Sequence, residues 1–168
     1  EEAQAKITNM GTIEGDVLGL AVRDNGVVSS LTNSEGGIIR GDQIGVFNEG
    51  GTIATLSNDG TIEGIYSSGL ITTLTNKGTI KATGGGELAD SAIFNFGTIG
   101  TLTNEATGTL EGDVAVGTVT DGFITNKGSI DGTVDLGSVA LNLEGDSARI
   151  TGAVTGDSGS TVHVKGAF

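Results

Sequence analysis

One five-residue phrase, Asn-x-Gly-Thr/Ser-Ile, recurs five times in the chain, beginning at Asn9, Asn58, Asn76, Asn95 and Asn126. An aliphatic residue precedes each Asn by two positions: Ile7, Leu56, Leu74, Ile93 and Ile124. Looser copies start at Asn33, Asn48 and Asn104, where one or two extra residues separate the Asn from the Ile or Leu that closes the phrase. Repetition of this kind means that one short piece of backbone is built many times, as in a solenoid.

Alternation explains the phrase. In Ile7-Thr8-Asn9 a period of two puts Ile7 and Asn9 on one face and Thr8 on the other. The residue after Asn varies freely (Met10, Asp59, Lys77, Phe96), as an outward position does. The Gly that follows is expected to supply a bend conformation that a Cβ would obstruct. Short strands, bends at fixed offsets and inward aliphatics predict an all-β chain wound as a right-handed parallel β-helix. Asn58, Asn76 and Asn95 are spaced by 18 and 19 residues. A period of roughly 19 predicts roughly nine coils and a rod about 40 Å long. Shorter steps, such as Asn48 to Asn58, suggest that some coils use the bend twice. Inward Asn9, Asn33, Asn48, Asn58, Asn76, Asn95, Asn104 and Asn126 are expected to form an amide ladder, each side chain bonded to the one above and below. The competing fold is an antiparallel sandwich, for which Asn25-Gly26, Asp59-Gly60 and Asp121-Gly122 would serve as hairpin turns.

Composition narrows the function classes. The net charge is −13 and the eight basic residues are scattered, so no basic stripe exists to meet nucleic acid. Cys is absent, which removes disulfides, thiolate metal sites and a Cys nucleophile, and suits export through an oxidising periplasm. A single His163 in an alternating strand argues against both a His-based metal cluster and a Ser-His-Asp triad, and no cofactor is expected. The glycines lie in bends between strands, not before helices, so no phosphate-binding loop is read. Residues 1–168 read as a single β-helical unit, a segment of a longer chain, because no signal sequence opens it and no cap closes either end.

The phrase Leu-Thr-Asn-x-Gly-Thr-Ile, followed by Lys or Glu and a small residue, resembles the passenger domains of bacterial autotransporters. The closing stretch, from Gly152-Ala153-Val154 to Val164-Lys165-Gly166-Ala167-Phe168, is similar to the coils that precede their outer-membrane barrel. The resemblance implies an extracellular stalk or adhesin, displayed at the bacterial surface and anchored through a barrel that these residues do not include. It implies attachment to a host-cell receptor, a matrix protein, a glycan or a sister bacterium.

Four residues stand out as candidate contacts. Arg40-Gly41-Asp42 spells a tripeptide that integrins recognise, although Glu14-Gly15-Asp16 and Glu111-Gly112-Asp113 occupy a similar place and mark x-Gly-Asp as a turn of the repeat. Phe96 takes the outward position of its phrase, where an aromatic ring can meet a sugar or a receptor. Glu14, Glu63, Glu111 and Asp131 each follow an inward aliphatic. Stacked, they form a solvated, self-repelling face, with calcium binding the less favoured reading. Residues 17–30 and 83–91 read as inserts able to serve as binding loops. Rows of Thr and Asn on a flat face offer a route to self-association. The expected function is thus non-enzymatic adhesion. A carbohydrate-active β-helix (a lyase, hydrolase or tailspike) and a ligand-free spacer are the alternatives.

Overall fold

The computed structural model describes residues 4–84, 90–116 and 123–166. Among these there is no helix, and the strands form three sheets. The first holds Ala5–Asn9, Val27–Asn33, Thr52–Asn58, Leu70–Asn76, Thr98–Asn104, Phe123–Asn126, Ala140–Glu144 and Thr161–Lys165, neighbours in that order. The second holds Thr12–Gly15, Ile38–Gly41, Thr61–Glu63, Thr79–Lys81, Thr109–Glu111, Ser129–Asp131 and Arg149–Ile150. The third holds Leu18–Arg23, Ile44–Glu49, Ile65–Ser67, Ser91–Asn95, Asp113–Ala115, Val134–Asp135 and Val154–Thr155. The chain visits the sheets in rotation, so each coil adds one strand to each of three walls. Strand neighbours within the walls run parallel. An isolated antiparallel bridge joins Arg23 and Gly50 at a corner. The parallel β-helix expectation therefore holds, and the sandwich does not.

Seven coils are complete among the described residues, and Thr161–Lys165 begins another. The expected nine was too many because it mixed two corners. Asn9, Asn33, Asn58, Asn76, Asn104 and Asn126 lie where the first sheet turns into the second. Their steps are 24, 25, 18, 28 and 22 residues. Asn48 and Asn95 lie where the third sheet turns into the first, with Ser67 between them in register. The same phrase thus serves two corners of one coil, and the 18-residue step is the shortest coil of the ladder. At about 4.8 Å per coil, seven coils span about 34 Å.

Stacked aliphatics fill the interior. Leu31, Leu56, Leu74, Leu102, Ile124 and Leu141 form one column on the first wall. Ile39, Ile62, Ile80, Leu110 and Ile130 form another on the second. All of these are buried. Residues 17–30 are not a loop insert. They carry two regular strands joined by a turn in which Asp24 and Asn25 take φ of 49° and 65°. This stretch lacks the phrase because Val22 replaces Asn at its corner, but Val22, Val28 and Leu31 still point into the core. Residues 85–89 of the other expected insert, and Asp121-Gly122, lie outside the described residues.

The Asn column is a continuous amide stack. Nδ2 of each Asn donates to Oδ1 of the next: Asn9 to Asn33, Asn33 to Asn58, Asn58 to Asn76 and Asn104 to Asn126 at 2.8 Å, and Asn76 to Asn104 at 2.9 Å. Each Nδ2 also lies within 3.2 Å of two backbone oxygens, as Asn76 does with Gly78 and Thr109. Donors and acceptors are both used, so burial of the amides carries little penalty. The Gly of the phrase has a different role from the one expected. Gly78 does not take a positive φ. A Cβ there would instead collide with the carbonyl oxygen of Gly60, one coil away, because the corners stack backbone against backbone.

The second Asn corner is incomplete. Asn48 Nδ2 donates to Ser67 Oγ at 3.1 Å, but Oδ1 of Asn48 and of Asn95 has no partner among the described residues. The reason is local: Val22 faces Asn48 from one side, and the Ser67 hydroxyl is too short to reach Asn95. Replacing Ser67 with Asn places a donor opposite the Asn95 carbonyl, and stability should rise by about 1 kcal/mol in urea unfolding. By contrast, Asn76→Ala strips Asn58 of an acceptor and Asn104 of a donor, and should cost about 2–3 kcal/mol in the same measurement.

Candidate functional site

Four of the chain's six aromatic residues meet on the outer face of the third sheet. Phe47, Tyr66 and Phe94 occupy one register position on successive coils. Parallel pairing brings them together because each immediately precedes the corner residue Asn48, Ser67 or Asn95, whose side chain points inward. Phe47 and Tyr66 stack, with centroids 5.0 Å apart and planes 15° from parallel. Tyr66 and Phe94 are 6.3 Å apart and tilted by 31°. Phe96, two residues on and past the corner, leans back across the column. Its ring stands at 89° to Phe94 at 4.6 Å and at 63° to Tyr66 at 6.3 Å. The column rings are half-buried, whereas Phe96 is 63% exposed.

Polar groups border one end of this cluster. The Arg23 guanidinium lies 5.4 Å from the Phe47 ring centroid and pairs with Glu49 at 3.7 Å. Both are held by register, since Arg23 sits beside Glu49 on adjacent strands. The arrangement therefore offers one largely exposed ring, an apolar ridge of half-buried rings and a paired cation and carboxylate.

The Arg40-Gly41-Asp42 tripeptide lies elsewhere, where the second sheet turns into the third. Arg40 and Gly41 pair in register with Glu14 and Gly15, which supports the reading of x-Gly-Asp as a turn of the repeat. Arg40 Nη2 contacts Glu14 Oε2 at 2.9 Å. That hydrogen bond, then the charges of Glu14 and Glu63, hold the guanidinium above its ordinary pKa. Gly41 is buried against the carbonyl of Val17 on the preceding coil. Glu14, Gly15, Arg40, Gly41, Asp42, Glu63 and Thr83 line a cleft of about 370 Å³. A cation already tied to a neighbouring carboxylate, beside a glycine packed into the stack, is not a tripeptide held out on a protruding bend. Phe96 is the expected contact residue that the structure joins to other aromatic rings.

Two further expectations change. The acidic row is not uniformly self-repelling: Arg40 follows Glu14, and Lys81 lies between Glu63 and Glu111 and bonds Glu63 at 3.1 Å. Among the described residues no group of three His, Asp or Glu side chains is placed to hold a metal ion. The Asn rows do not lie on a flat outer face, because their amides are buried, which leaves the Thr rows (Thr8, Thr32, Thr75, Thr103) facing outward on the first sheet.

Sequence reasoning found Phe96 and missed Phe47, Tyr66 and Phe94. The available signal was an aromatic residue immediately before a corner residue in Phe47-Asn48, Tyr66-Ser67 and Phe94-Asn95. The two kinds of aromatic should separate in stability measurements. Tyr66→Ala removes ring contacts on both sides and should cost about 1–2 kcal/mol, whereas Phe96→Ala should cost no more than about 0.5 kcal/mol. Searches against protein-family models, curated proteins and solved structures found no significant match to this chain.

Proposed function

We propose that this chain is part of a bacterial surface adhesin: a stalk of the autotransporter-passenger type, exported through the periplasm, that presents one wall to a receptor, matrix, glycan or neighbouring cell. The observation that carries this reading is the aromatic ridge of Phe47, Tyr66, Phe94 and Phe96 on the outside of a solenoid whose interior is already filled. Soluble proteins seldom leave several aromatic rings together at the surface without a partner for them. The wall beneath is stiff, since hydrogen bonds join each strand to the coils on either side, so the rings are held in place before any ligand arrives. Net charge −13 favours solubility and keeps parallel stalks apart.

Beads coated with the chain should adhere to at least one of three surfaces: epithelial cells, immobilised matrix proteins, or bacteria displaying the same chain. Adhesion should fall several-fold for the Tyr66→Ala, Phe96→Ala double variant. No adhesion to any of them would favour a ligand-free spacer. Release of reducing ends from a panel of polysaccharides would favour the carbohydrate-active alternative.

A further inference from the structure

We infer that the aromatic ridge is a binding site for a neutral, extended β-linked hexose chain lying along the solenoid axis. The inference rests on the adhesin reading and names its ligand class.

Size is the first argument. An aromatic side chain buries roughly 150–250 Å² when fully covered. The three column rings already cover one another in part, so the open apolar area is a few hundred Å². A standard protein interface needs about 800 Å² from each partner. The ridge alone falls short of such an interface and matches the width of a few sugar rings.

Shape is the second. Pyranose rings carry their axial C–H bonds on two faces and their hydroxyls around the rim. A ring face is therefore apolar and seats on an aromatic face, while the rim needs planar polar partners. Phe96 supplies the open aromatic surface, standing across the column at 89° to Phe94. Arg23 and Glu49, at the Phe47 end, supply a donor and an acceptor for hydroxyls. In an extended β-linked hexose chain one ring advances by close to the coil spacing of about 4.8 Å. The column rings turn their faces to one another at 5.0 and 6.3 Å, so one sugar seats on Phe96 and the sugars beyond it run along the edges of Phe94, Tyr66 and Phe47.

Charge is the third. Arg23, the cation beside the ridge, is already paired with Glu49, so a sulfate or carboxylate would compete for a committed partner. An acidic glycan would also approach a molecule of net charge −13. These terms select a neutral chain over an acidic one.

The chain has one Tyr and no Trp, so its Tyr emission comes from Tyr66, within the ridge. Titration with cellohexaose should change that emission saturably. Phe96→Ala should weaken the apparent affinity about tenfold or more. Phe123→Ala, which removes an exposed ring from the first sheet, should leave it unchanged. The inference is overturned if cellohexaose gives no response up to millimolar concentration, if Phe96→Ala binds as well as the parent chain, or if heparin binds in preference to cellohexaose. Bead adhesion that persists in Phe96→Ala, with no cellohexaose response, would overturn the glycan site and leave the adhesin reading standing. Loss of both adhesion and sugar binding in the parent chain would end both.

Discussion

A buried carboxamide must satisfy one carbonyl and two N–H groups, and a second carboxamide one coil away answers that demand in a form that can be repeated. The stack from Asn9 to Asn126 meets it at five successive steps. Asp in the same place would bury a row of like charges, and Gln would carry its amide one methylene too far to keep both the neighbouring amide and the local carbonyl in reach. The requirement fixes register, because a coil displaced by one residue would turn its Asn outward and leave the amides on either side unpaired. It also sets how closely the corners approach, which is why Gly, with no Cβ, accompanies Asn. At the ladder corner the two disappear together, whereas at the other corner Gly26 and Gly69 remain where Val22 and Ser67 replace Asn. In the coil after Asn126, Leu143 takes the Asn position and Ala148 the place of the stacked Gly.

Charge follows the same register on the outside. After the uncharged Met10 and Ser34 of the first two coils, the residue after the ladder position reads Asp59, Lys77, Glu105, Lys127, Glu144 and Lys165 on successive coils, alternating in sign. Lys77 pairs with Asp59 at 3.9 Å, Lys127 with Glu105 at 3.3 Å and Lys165 with Glu144 at 3.3 Å. Each exposed pair contributes about 0–1 kcal/mol, so the row adds little stability. Its effect is on choice of register: sliding one coil past its neighbour by a full coil would set like charges against each other. Inside, buried amides specify the alignment across one wall junction, and outside, alternating charges specify it again at the same corner.

The fold was legible because its determinants are local and repeated. Asn, the Gly two places on and the flanking aliphatics carry one corner within seven residues, and parallel stacking follows from repeating it. What stayed hidden depends on which corner a given phrase occupies. Asn58, Asn76 and Asn95 look like three consecutive members of one series, yet Asn95 belongs to the other corner and is in register with Ser67, not Asn76. Residues 17–30 looked like a loop because Val22 stands where Asn stands in the next coil. Among candidate contacts, Phe96 was visible alone from its outward position. Its neighbours come from coils 19 and 28 residues apart, and such unequal separations cannot be converted into contacts until each corner has been assigned.

The aromatic ridge shows how a solenoid separates the residues that build it from those that can bind. Inward positions are constrained by two neighbouring coils and by the opposite walls, so a change there is felt at several contacts. Outward positions on a wall are constrained only by the side chains directly above and below. Phe47, Tyr66 and Phe94 satisfy that weaker condition by stacking on one another, which reinforces the third wall much as the amide stack reinforces the corner. Phe96 is different because it lies beyond the corner, where the backbone no longer aligns it with the column. Its ring crosses the column and remains largely exposed, supported from behind by Phe94 and Tyr66. A ring so supported loses little freedom when something seats on it, and the backbone behind it is hydrogen-bonded to its neighbouring coils. The ladder and the core therefore hold the wall still, the column sets the tilt of the exposed ring, and that ring occupies a position that the repeat itself leaves free to vary.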